Sequence, residues 1–142
     1  MSVGLTNDLP VQGVLSFPIP ASAAAGTVIN ANMQLLGPNV PATTTQTVPS
    51  NEVWHILDIF TQGVVSGGAD GQIVLTINGI DQPYSISISN VNISLLTRFT
   101  LPQSIPIGPN STISFKLILS AASGSSAVTQ LVYVKLLRRP IR

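Results

Sequence analysis

Gln72-Ile73-Val74-Leu75-Thr76-Ile77-Asn78-Gly79 is the stretch whose reading decides the fold. Ile73, Leu75 and Ile77 fall on one side of an extended chain; Gln72, Thr76 and Asn78 fall on the other. A two-residue period is the mark of a strand with one face for a core and one for solvent or a neighbour. Asn78-Gly79 is a strong turn signal, because both residues tolerate positive φ. Asp81-Gln82-Pro83 extends the predicted loop. Alternation resumes with Tyr84, Ile86 and Ile88 against Ser85, Ser87 and Ser89.

The same pattern spreads outward. Ile113, Phe115, Leu117 and Leu119 alternate with Thr112, Ser114 and Lys116, Ile118 being the exception. Val11 to Phe17, Thr27 to Leu36, Thr43 to Val48 and Asn92 to Leu101 are weaker strand candidates. Val53 to Phe60 and Leu131 to Leu137 are apolar on both sides, which suits a central strand or one buried between subunits. No window keeps a helical period. Ser66 to Gly71 and Ser120 to Ser126 have loop composition, and Gly108-Pro109-Asn110 marks a turn. Pro10, Pro18, Pro20, Pro38 and Pro41 crowd the first third, and proline is poorly tolerated in a central strand. Residues 1–25 therefore read as an extended arm or edge element. The whole, residues 1–142, reads as one all-β domain, an antiparallel β-sandwich with jelly-roll topology favoured.

Charge is the compositional outlier. Asp, Glu, Lys and Arg make up 8% of the chain, against about 25% in ordinary soluble proteins. The net charge is +1. Free monomers keep soluble through mixed charges, so much of this surface is expected to be covered by copies of the chain or by other subunits. There is no cysteine, so disulfides and thiolate metal sites are excluded. Met1 to Asp8 lacks the basic start and apolar run of a signal peptide, and no apolar run approaches the ~18 residues that span a bilayer.

The inventory offers little for catalysis: one histidine and five carboxylates. His55 is the only base for a nucleophilic triad. Asp58, three residues along the same predicted strand, is expected on the opposite face. Asp70 lacks the alternating acids of a calcium loop, and Asp81 stands alone. No phosphate loop or dinucleotide fingerprint occurs. The reading expects no enzyme, no cofactor and no metal. The sequons at Asn92 and Asn110 are chance matches in a chain rich in Asn, Ser and Thr.

Contact residues are few. Trp54 and Tyr84 are the candidate aromatic platforms, although Trp54 sits in a doubly apolar strand. Lys135, Arg138, Arg139 and Arg142 gather basic charge at the C-terminus, where contact with nucleic acid or acidic lipid is a weak expectation. A nucleic-acid surface calls for a wider basic face with aromatics interleaved.

Val48-Pro49-Ser50-Asn51-Glu52-Val53-Trp54-His55-Ile56-Leu57-Asp58-Ile59, a proline-led turn feeding a long apolar strand, carries a resemblance. So does Leu101-Pro102-Gln103-Ser104-Ile105-Pro106-Ile107-Gly108-Pro109-Asn110-Ser111-Thr112-Ile113-Ser114-Phe115. Together they resemble small jelly-roll capsid, vertex (penton) and decoration proteins of viruses. The resemblance implies a virion structural protein, made in the host cytoplasm. It would be a homo-oligomer, a trimer or pentamer, packing against other capsid subunits without cofactor or small-molecule substrate. The chain is too short for a double jelly roll. The alternative is a receptor- or glycan-binding β-sandwich module, such as a phage tail-fibre tip.

Overall fold

A computed structural model of the chain describes residues 9–35, 41–62, 70–88 and 96–141. The described residues hold no helix. They form ten strands: β1 (Leu9–Ile19), β2 (Val28–Asn30), β3 (Asn32–Gln34), β4 (Gln46–Thr47), β5 (Glu52–Gln62), β6 (Gly71–Ile77), β7 (Ile80–Ile88), β8 (Leu96–Ile107), β9 (Thr112–Leu119) and β10 (Val128–Pro140). The first sheet runs β3-β1-β10-β5-β8. The second runs β2-β9-β6-β7, with β4 also on β9. Every pairing is antiparallel. The chain is an all-β sandwich.

The pairings nest. β6 pairs with β7, β5 with β8, β2 and β4 with β9, and β1 with β10. This is one long antiparallel hairpin whose tip is Asn78-Gly79. Folded across itself, it sets β10 beside β5 and β9 beside β6. At the tip, Asn78 has φ 52° and Gly79 φ 79°, the signature of a two-residue type I′ turn that matches strand twist. Asp81 to Pro83, expected as loop, belongs to β7. Pro83 is tolerated because the register between β6 and β7 shifts there: Thr76 meets Asp81 and Val74 meets Ser85.

Between the sheets lies one core. Leu15, Phe17, Ile19, Trp54, Ile56, Ile59, Val132, Val134 and Leu136 enter from the first sheet; Ile29, Ile73, Leu75, Ile113, Phe115, Leu117 and Leu119 enter from the second. Each such side chain contributes about 1.5–3 kcal/mol on leaving water. Between β2 and β4 the chain crosses from the second sheet to the first and back, and seals that side. Ala31 donates to Phe115 of β9, and Met33 then lies beside Leu15 of β1. Ala31, Met33, Leu35 and Val48 of this strap are fully or almost fully buried.

The segment read as an arm or edge element is built into the sandwich over Leu9–Ile19. It is in register with β10 along its entire length. Residues 1–8 lie outside the described residues, as do most of the predicted Ser66–Gly71 loop and the Asn92 sequon. Backbone parity explains the prolines. Met33 exchanges both backbone hydrogen bonds with Thr43, at 2.7 and 3.0 Å. Its neighbours Asn32 and Gln34 therefore turn towards Ser16 and Val14. Even-numbered residues of β1 face β3, so the nitrogens of Pro10 and Pro18 point past the ends of that three-residue strand. No ladder bond is lost there. Carried across β10 and β5, the same alternation turns Pro106 to the open edge of β8, and Pro140 past the start of β1.

Two glycines separate packing from turn geometry. A Cβ on Gly71 would lie 2.5 Å from the Ile118 carbonyl oxygen and 2.9 Å from Leu117 Cδ1. One on Gly79 would meet open space, at a φ that only strains the backbone. Gly71→Ala is expected to cost about 2–3 kcal/mol by overpacking, and Gly79→Ala about 1 kcal/mol. Urea denaturation of both variants measures the two costs. Equal losses would mean that β6 and β9 are less tightly apposed than described.

Candidate functional site

The two outer faces of the sandwich differ. On the second sheet, Gln72, Thr76, Thr112 and Ser114 face outward with Val28 and Ile118. The charges there cancel: Lys116 Nζ lies 2.8 Å from Asp81 Oδ2, and the Thr76 hydroxyl donates to Asp81 Oδ1 at 2.9 Å. Lys116 first, then Thr76, holds the Asp81 carboxyl below its usual range.

The first sheet's outer face is built on β5 and β10, the two doubly apolar segments, which are indeed central neighbours. Register across it aligns Val14, Tyr133 and Phe60, with Arg98 of β8 next in the row. Tyr133 and Phe60 stack, their ring centroids 5.4 Å apart and their planes 20° from parallel. Along β10, Leu131, Lys135 and Arg139 reach solvent on this side, alternating with half-buried Tyr133 and Leu137. His55 and Pro106 complete the row of Leu137.

A β-bulge changes the one catalytic argument the sequence allowed. Leu136 pairs with Ile56, yet Lys135 pairs with Asp58, so Leu57 is an extra residue in β5. A bulge restores parity to an odd spacing. His55, opposite Leu137, and Asp58, opposite Lys135, therefore share the outer face instead of opposing faces. Asp58 is 4% exposed beneath it. Among the described residues no three His, Cys, Asp or Glu side chains gather into a metal site, and no helix is long and apolar enough to cross a membrane.

Of the predicted contact residues, Trp54 and Arg138 come together, but not as a ligand site. Trp54 is fully buried, so it offers no sugar platform. Its indole Nε1 donates to Glu52 Oε1 at 2.9 Å. Arg138 grips the same carboxylate with Nε and Nη2, both at 2.7 Å. The guanidinium carbon stands 5.7 Å from the centre of the Trp54 ring. Trp54 and Arg138 are opposite one another on β5 and β10, and Glu52 is two residues from Trp54 on the same side. The three side chains cap one end of the core. Arg138 thus belongs to the core's lid and not to a basic tail. Arg139 is exposed on the outer face. Tyr84 lies in β7 with its side chain outside the described part of the structure, and Arg142 lies outside the described residues.

Phe60 and Tyr133 form an outward aromatic pair that the sequence does not single out, because a doubly apolar strand does not show which of its sides faces the second sheet.

The Arg138 hydrogen bonds are the main cause holding Glu52 below the usual carboxylate range; the Trp54 N–H adds to them, and burial opposes. Glu52 raises Arg138 in turn. A carboxylate depressed in the folded state stabilises above its unfolded pKa, and that stability is lost as pH falls through the folded one. Wild-type stability is expected to fall below about pH 5, and Glu52→Gln to flatten that fall. Arg138→Met is expected to cost about 2–3 kcal/mol at neutral pH, since it leaves a mostly buried carboxylate without its bidentate partner. Arg138→Lys should recover only part, lacking the planar fork. Thermal melts across the acid range measure all three.

Compared with known proteins, the chain matches no family model and no curated protein.

Proposed function

We propose that the chain is a structural subunit that works by assembling with copies of itself, as a shell, vertex or decoration protein of a virus particle. One observation carries the reading: the outer face of the second sheet is almost free of net charge in a chain that is 8% charged overall. Its ion pair is closed within the subunit. Val28 there is 52% exposed, and Ile80, at the hairpin tip, is 68% exposed. A neutral face of hydroxyls, amides and scattered aliphatics brings no like-charge repulsion when copies meet, and it buries apolar area on contact.

The nested strand order supports jelly-roll topology within this reading. First strand on last, and so on inward to the central hairpin, is how an eight-stranded jelly roll is wound, with β2, β3 and β4 together filling one strand's place. Such folds serve shells and lectins alike. The lectin-like alternative loses support because Trp54, the larger of the two platforms proposed for it, is in the core.

Light scattering after size exclusion, over a protein dilution series at low and high salt, tests the proposal. A trimer, a pentamer or a larger shell is expected, with the same mass at both salt concentrations because few interfacial charges are left to screen. A monomer at every concentration, or an oligomer that dissolves in salt, would overturn it.

A further inference from the structure

Asn78 is the first of the two turn residues at the hairpin tip, and Asn78, Gly79 and Ile80 are all exposed. An asparagine followed by glycine carries its own electrophile and its own nucleophile. The side-chain amide carbon Cγ and the Gly79 nitrogen can close a five-membered ring, and glycine has no side chain to hinder that closure. A Cβ placed on Gly79 would have no neighbour within 4 Å beyond the adjoining residues. The folded turn holds the two groups apart. With φ 52° at Asn78 and 79° at Gly79 the tip is type I′, in which ψ of the first residue is about 30°. Ring closure needs Asn78 turned out of that well, so that the Gly79 nitrogen comes over the plane of the side-chain amide. The side chain is tied down as well. Thr112 N–H donates to Asn78 Oδ1 at 2.9 Å, and Asn78 N–H donates to the Thr112 carbonyl at 2.8 Å. Backbone and side chain of Asn78 are thus both pinned to the start of β9. The Thr76 hydroxyl, bonded to Asp81, closes the next rung of the hairpin.

The geometry points to Asn78 as a self-modification site, deamidated only when the hairpin tip opens and Thr112 releases it. In the open tip the Gly79 nitrogen bonds to Asn78 Cγ, its proton passes to solvent base, and the side-chain nitrogen leaves as ammonia. A cyclic imide results. Water then opens it at one of its two carbonyls. Opening at Cγ gives aspartate. Opening at the backbone carbonyl gives isoaspartate, whose main chain runs through the former side chain. The net change is amide and water to carboxylate and ammonium, with no oxidant or reductant. Isoaspartate adds one carbon to a loop that two residues close between Ile77 and Ile80, and a type I′ turn has no room for it. A modified tip therefore does not reclose in its first form, and each molecule keeps a lasting mark of having opened. The inference rests on the turn and its clamp and stands apart from the assembly reading.

The full-length chain, in whatever oligomer it forms, is kept in mildly alkaline buffer, once folded and once in concentrated guanidinium chloride. Mass spectrometry follows the amide-to-acid mass gain in the peptide that holds Asn78, and enzymatic carboxyl methylation counts isoaspartate. Reaction at Asn78 is expected in denaturant. The folded chain should react at least about tenfold more slowly, the protection that a local opening of ordinary cost supplies. Thr112→Pro removes the N–H that Asn78 Oδ1 accepts. It should speed the folded reaction about fivefold, the worth of one hydrogen bond, and leave the rate in denaturant unchanged. Val132→Ala, which truncates a buried side chain in the other sheet, should leave the folded rate nearly unchanged, because the tip opens by itself. Circular dichroism melts establish that each variant is folded; should Thr112→Pro not fold, Thr76→Ala, which loses the bond to Asp81 across the same hairpin, replaces it. The inference is overturned if Asn78 does not react in denaturant, if the folded and denatured rates are equal, or if loosening the tip leaves the folded rate as it was. It is also overturned if Val132→Ala raises the folded rate about tenfold, since only global unfolding would then expose the pair. Subunit mass is measured separately, so none of these outcomes bears on the assembly reading.

Discussion

The constraint on which the rest depends is the pairing of β10 with β1 on one side and β5 on the other. β1 meets β10 without a register break from Leu9↔Arg138 to Ile19↔Val128. With the first described strand laid on the last, everything between must close as a nested set, and the hairpin at Asn78-Gly79 becomes its tip. Nothing in this scheme needs charge. The ladder is backbone, the core is aliphatic and aromatic, and the mostly buried ion pair Arg138–Glu52 acts at the rim, where Trp54 would otherwise meet water. The same topology makes most contacts distant in sequence, which places the chain among slow-folding architectures.

Edges are the liability of such a fold. One side of the sandwich is sealed by the strap through β3 and β4. On the other, β7 and β8 are the outer strands of their sheets. Pro106 turns its ring to the open edge of β8, and Pro83 interrupts the regular ladder of β7. Pro10, Pro18, Pro106 and Pro140 thus sit where a missing donor costs no ladder hydrogen bond.

Much of the fold was legible because alternation survives translation into structure. β6, β9 and the Asn78-Gly79 turn were read from period and turn chemistry alone, and the doubly apolar segments proved central. Three features were not legible, each for a physical reason. Prolines made residues 1–25 read as an extended arm or edge element, because the direction of a proline nitrogen depends on which neighbour pairs with which face; Leu9–Ile19 instead pairs with β10 along its length and has only a three-residue strand on its other side. The extra residue Leu57 reversed the faces of His55 and Asp58, and no local signal marks that bulge. Arg138 looked like part of a basic tail until Glu52, 86 residues away in sequence, was brought against it. Of the candidate contact residues, Arg139 alone among the described side chains kept an exposed place.

Scarce charge is what gives the surface its pattern. In a chain with ordinary charge content, a handful of cations would vanish among compensating neighbours. Here two of the five carboxylates hold ion pairs within the subunit and a third, Asp58, is buried. Lys135 and Arg139 share a face because they stand four residues apart on one strand, an even spacing that keeps them on one side. Lys116 faces outward on the other sheet, where Asp81 is in reach across the β6–β7 hairpin. Strand periodicity therefore sets Lys116 with Asp81 on one outer face, and Lys135 and Arg139 on the other. The second sheet's face, whose ion pair is closed within the subunit, brings no like-charge repulsion when copies meet, which is why the proposed assembly draws on that side of the sandwich.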